Sequence, residues 1–151
     1  MRRKKLAMRC GAGLRSRPMT NLKILVLAIL SHLTPGADRA AEPAVVNAIV
    51  AVGDEATSRE VALLTTYAWL ESRARTEPVA WSWDAKANVS CGPWQEPCGF
   101  VRTHSVADQA RYWLRELRTA GLASLDSSPR RAARREAYAL KALEDAGLDI
   151  R

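Results

Sequence analysis

Glu71 is the residue of this sequence best placed to do chemistry. It falls seven residues after Leu64, four after Tyr67 and three after Ala68, so a 3.6-residue period sets it on or beside an apolar helical stripe. Desolvation there favours the neutral carboxyl, and a neutral acid near pH 6 or 7 is what protonation of a glycosidic oxygen requires. The plainer reading of the same position is a surface acid paired with Arg75 at i+4. If a carboxylate pair did the work, the second acid would come from Asp84 or Glu96, and sequence does not choose between the retaining and inverting separations. A serine or cysteine nucleophile is disfavoured. After the N-terminal 41 residues, His104 is the sole imidazole, and its place just before a helix cap assigns it to local structure. No metal or other cofactor is expected, because the cysteine spacing does not match a zinc ribbon.

Helices must position Glu71. One is expected from Pro43 to about Val52, with Val45, Val46, Ile49 and Val50 on one side and Gly53 as its stop. Thr57-Ser58-Arg59-Glu60 is a capping box opening a second, which carries Val61, Leu64, Ala68 and Glu71 and runs to about Ala74. Ser105 to Asp108 opens a third that ends before Gly121, and Ser128-Pro129 a fourth that stops at Gly147. Between the second and third lies a long aperiodic stretch, Thr76 to Thr103, holding Trp81, Trp83, Trp94, Cys91 and Cys98. Loops of that length in a compact domain are usually functional or disordered, and three tryptophans argue for function. Their indole faces suit either sugar stacking or core packing. The fold class expected is mainly α, α+β at most, with a minor irregular or β loop region.

The net charge of +7 is not spread evenly. The first eighteen residues hold seven Lys/Arg and no acid, whereas from Glu42 onward 14 Lys/Arg face 15 Asp/Glu, a net of −1. With the apolar run Ile24 to Leu30 and the small residues near Ala37, this reads as a basic leader and signal peptide over residues 1–41, followed by one small domain over 42–151; the alternative for the apolar run is a buried core helix or a single retained anchor. Met19 offers a later start from which the signal has ordinary proportions. The run breaks at Ser31-His32, short of the roughly 20 apolar residues of a membrane span. Export to the periplasm or the extracellular space is thus expected. In such an oxidising compartment Cys91 and Cys98 would pair, closing a short loop worth about 2.5 kcal/mol. The Arg130, Arg131, Arg134, Arg135 cluster reads as a solvated face, and no nucleic-acid partner is expected of a domain near neutrality.

Two segments add a resemblance. Leu70-Glu71-Ser72-Arg73, followed by Ser90-Cys91-Gly92-Pro93-Trp94-Gln95, resembles the lytic transglycosylases of the goose-type lysozyme superfamily, with their Glu-Ser helix end and Gly-x-x-Gln loop. Pro78-Val79-Ala80-Trp81-Ser82 is similar to the Pro-x-Ala-x-Ser stretch that links those motifs. The similarity spans roughly residues 44 to 120, with Glu71 and Gln95 separated by 24 residues, so the loop bearing Trp81, Trp83 and Asp84 looks inserted. The resemblance implies a lysozyme-like fold and cleavage of the β-1,4 bond between N-acetylmuramic acid and N-acetylglucosamine in peptidoglycan glycan strands. Glu71 would act as acid and then base, with Ser72, Gly92, Trp94 and Gln95 as substrate-binding residues. The alternative is a lysozyme-like protein that binds glycan, or serves as a structural envelope protein, without cleaving it. A monomer is expected in either case.

Overall fold

A computed structural model of the chain describes residues 19–76 and 90–147. They form a helical bundle with one minor two-stranded element: α1 (Met19–Leu33), α2 (Ala37–Ala40), α3 (Pro43–Gly53), α4 (Ser58–Ser72), β1 (Ser90–Cys91), β2 (Glu96–Pro97), α5 (Cys98–Thr103), α6 (Val106–Ala120), a 3-10 turn (Gly121–Ser124) and α7 (Pro129–Ala146). The architecture is mainly α with minor β, a single small domain. The four helices read from local signals are all present. Thr57 Oγ1 accepts the Glu60 N–H at 3.1 Å while Glu60 Oε1 accepts the Thr57 N–H at 2.9 Å, closing the capping box of α4. Ser105 and Ser128 cap α6 and α7 through their hydroxyl oxygens, and Gly147 ends α7 in the left-handed region.

α4 is the axis of the bundle. Every residue from Val61 to Trp69 is buried, which requires neighbours on all sides, and α1, α3, α6 and α7 supply them. α6 and α7 bury one face each, chiefly Ala110 and Leu114 on α6 and Ala132, Ala139 and Ala142 on α7. The small alanines let α7 approach α1 and α4 closely.

α1 lies within the segment read as a leader, and its apolar side chains pack with the helices that follow. Leu22, Leu25, Val26, Ile29, Leu30 and Leu33 recur at helical spacing and are buried against α3, α4 and α7. Gly53 permits the close crossing of α1 and α3: a Cβ there would come within 3.2 Å of Leu22 Cδ2. Tyr138 on α7 donates its hydroxyl to the Leu33 carbonyl, and Trp69 Nε1 donates to Thr34 Oγ1 at 3.1 Å. The folded unit therefore joins residues 19–41 to the helices from α3 onward. No helix among the described residues is long and apolar enough to cross a membrane.

The exit of α4 is tightly held. Arg73 and Ala74 both take positive φ, 59° and 56°, and their N–H groups return to Trp69 O at 2.8 Å and Ala68 O at 2.9 Å. Two consecutive left-handed residues without glycine are uncommon and persist only where their surroundings fix them. Here Glu42, at the start of α3, does so: its N–H donates to Ala74 O, and its carboxylate accepts from Thr76 N at 2.8 Å and Thr76 Oγ1 at 2.6 Å. These bonds hold the Glu42 carboxyl below its ordinary range.

Candidate functional site

Glu71 stands at the C-terminal turn of α4, about a third exposed. Its partner is not Arg75. Arg135, carried in by α7, places Nη1 at 2.5 Å from Glu71 Oε2, and its guanidinium lies 5.2 Å over the ring of Tyr67. Arg135 Nη1 is also 3.8 Å from Asp126 Oδ2. Asp126 is fully enclosed and accepts from Arg131 Nε at 2.9 Å and from the Ser128 N–H at 3.0 Å. Burial pushes the Asp126 carboxyl up, but the Arg131 and Ser128 bonds and the nearby arginines outweigh it and hold the group below its usual range. Tyr67, whose buried hydroxyl has no hydrogen-bond partner among the described residues, is pushed up to about 12 by burial and by the charge of Asp126.

The arginine cluster of α7 is thus divided. Arg131 and Arg135 pair with carboxylates, Arg131 from an exposed position, while Arg130 and Arg134 are exposed as well. Arg135 and Arg134 further line a shallow groove of about 530 Å³ with Ala137, Tyr138 and Lys141. Arg135, Asp126 and Tyr67 were not anticipated as site residues. The signal for Arg135 was its place three residues after Ala132 and four before Ala139, on the stripe of α7 that packs inward.

Ser72 joins the helix end to the hairpin. Its Oγ lies 3.0 Å from both Ala68 O and Pro93 O, either of which takes its single proton, and it accepts the Arg75 N–H at 3.1 Å. β1 and β2 pair antiparallel, with Ser90 opposite Pro97 and Cys91 opposite Glu96, and a disulfide links Cys91 to Cys98 with Cα atoms 4.9 Å apart. The turn between the strands is Gly92 to Gln95. Gly92 has φ +79°, and a Cβ on it would meet Gln109 Oε1 at 2.9 Å and Val101 Cγ2 at 3.2 Å, so both conformation and space demand glycine.

Three of the expected site residues are held by contacts within the protein or are enclosed by it. Trp94 was to offer stacking area; it is 4% exposed and donates Nε1 to Leu64 O at 3.0 Å, an anchor of the hairpin in the core. Gln95 was to hydrogen-bond a sugar or its own loop; its Nε2 donates to Gly92 O at 2.9 Å, within that loop, at φ +55°. Glu96 was a candidate second carboxylate; it is 3% exposed, beside Trp113 and Tyr112 of α6. Asp84, Trp81 and Trp83 lie outside the described residues. His104 is local structure, its Nδ1 lying 2.8 Å from Phe100 O. Among the described residues no three His, Cys, Asp or Glu side chains gather as a metal site would need.

The arrangement offers one carboxyl, about a third exposed, near a disulfide-closed turn, with a guanidinium on one of its oxygens. Comparison with known proteins finds no family model, no curated protein and no solved structure that matches this chain.

Proposed function

We propose that this chain is a lysozyme-like domain that acts on the glycan strands of peptidoglycan, with Glu71 as its single acid and base. One contact supports the reading above all. Ser72 Oγ lies 3.0 Å from Pro93 O, so the Glu-Ser helix end and the Gly-x-x-Gln turn share a corner although they are 21 residues apart in sequence. In this mechanism the Glu71 carboxyl gives its proton to the oxygen leaving the muramic acid C1. The resulting carboxylate then takes the proton of the same sugar's 6-hydroxyl as O6 closes on C1, and a 1,6-anhydro ring forms without a second carboxylate or water. The Cys91–Cys98 disulfide supports an oxidising compartment, periplasmic or extracellular.

A second reading has its own observation. Arg135 occupies Glu71 Oε2 at 2.5 Å, so one of the two carboxyl oxygens already accepts a guanidinium N–H. This favours a lysozyme-like glycan-binding or envelope protein that does not cleave. The two separate when the full-length oxidised protein is incubated with isolated peptidoglycan and the soluble products are read by mass spectrometry. Anhydro-muropeptides released by the wild type and lost in Glu71→Gln are the expected result. Binding without release, on sacculi that a control lysozyme digests, moves the assignment to the second reading. Neither binding nor release overturns both.

A further inference from the structure

The buried side of the hairpin carries a group that the glycan chemistry does not use. Glu96 lies on β2 opposite Cys91, two residues before the second half of the disulfide, and its side chain is enclosed against α6. Trp113 and Tyr112 of α6 stand near Glu96, and Gln109 of the same helix stands against the adjoining Gly92. Three buried polar atoms there make no full hydrogen bond among the described residues: Glu96 Oε1, Gln109 Oε1 and Trp113 Nε1, the last near enough to Glu96 to favour its charged form. Two are acceptors and one is a donor, so an ionised Glu96 leaves the corner short of protons, whereas a protonated one adds a donor. No lysine or arginine forms an ion pair with Glu96 among the described residues. The titratable neighbours are Tyr112, beside which stand Arg115 and Glu116, and, across the Phe100 ring from Tyr112, His104 at the end of α5.

We propose that Glu96 is a positioning residue that docks the disulfide hairpin on α6 only while it carries its proton, and that losing the proton releases the Gly92–Gln95 turn from the bundle. The energetic reason is that an unpaired carboxylate cannot stay buried without compensation, so the hairpin opens to hydrate it. Burial pushes the Glu96 carboxyl up to about 7, against a smaller pull from the Trp113 indole N–H, which sets the release near neutrality. Release of this strand would slacken both anchors of the turn, Trp94 on Leu64 O and Pro93 O on Ser72, and through Ser72 the corner beside Glu71.

The test needs no glycan, so its outcome is independent of the peptidoglycan reading. Hydrogen exchange of the hairpin amides, residues 90–97, is followed by NMR in the full-length oxidised protein between pH 5.5 and 8.5, after correction for intrinsic base catalysis. Opening tied to one proton lowers protection about tenfold at one pH unit above the midpoint. Glu96→Gln, which keeps the shape and removes the titration, flattens the profile and holds the hairpin closed at pH 8. Protection that is independent of pH in the wild type overturns the proposal, as does a midpoint that survives in Glu96→Gln. Should that variant fail to fold, the carboxyl carbon shift of Glu96 in the wild type decides: a midpoint near 7 supports the latch, and one at or below about 5 removes it.

Discussion

A dispensable leader and a core helix respond oppositely to mutation, and α1 separates them. Leu25 and Ile29 are one turn apart on its inward face and have no exposed surface, whereas Ile24 beside them is about half exposed. Truncating a fully buried Leu or Ile to Ala removes its transfer free energy and leaves a cavity, a loss of about 2–5 kcal/mol. A domain of this size has about 5–15 kcal/mol in all, so either substitution removes a large share of it. With a urea m-value of about 2 kcal/mol per molar, Leu25→Ala or Ile29→Ala lowers the unfolding midpoint by about 1–2.5 M. Ile24→Ala, the surface control, stays within about 0.5 kcal/mol of the wild type. Because residues 25 and 29 share one packing surface, the double variant falls short of the sum. The assay is urea unfolding of the full-length oxidised protein followed by far-ultraviolet circular dichroism, with a 42–151 fragment alongside. The reasoning fails if Leu25→Ala and Ile29→Ala leave the midpoint where it was, or if the fragment unfolds as cooperatively as the whole chain.

Three further outcomes are expected. Gly92→Ala meets both a positive φ and a 2.9 Å approach to Gln109 Oε1, and should cost about 1–3 kcal/mol in thermal or urea unfolding while accelerating exchange of the hairpin amides. Reducing Cys91–Cys98 lowers stability by about 2.5 kcal/mol, read as the difference between unfolding with and without dithiothreitol. Glu42, Glu60 and Asp126 are all held below their ordinary values, so their contribution is complete above about pH 4.5 and is lost as the pH falls further. A urea midpoint measured from pH 6 down to 2 should decline below about 4.5, and Asp126→Asn should cost about 1–3 kcal/mol at pH 6 and flatten part of that decline.

What could be read from sequence was what local chemistry decides. Thr57 and Glu60, Ser105, Ser128 and Gly147 act within a few residues of themselves, so the helices from Ser58 onward that they bound stand close to where those signals set them. The pairing of Cys91 with Cys98 is equally local. The site was less legible because its deciding contacts are distant. The partner of Glu71 comes from 64 residues away, and nothing near residue 71 announces it. The destination of Trp94 and the facing of Glu96 depend on how a turn without periodicity lies on α4 and α6. For α1, an uninterrupted apolar run from Ile24 to Leu30 hides the period of Leu22, Leu25, Val26, Ile29, Leu30 and Leu33, and basic residues before it complete the likeness to a signal.

The pairing of α1 with α7 has a consequence in time. These helices stand near opposite ends of the described chain, and roughly a hundred residues separate Leu33 from Ala139. At a synthesis rate of about 5–20 residues per second, α1 waits on the order of 5–20 s on the ribosome before its last neighbour exists. Through that interval an apolar segment preceded by basic residues is in open view of any machinery that gathers nascent chains by those two properties. Capture and folding compete for the same side chains, and the slower the chain is made, the longer the competition runs.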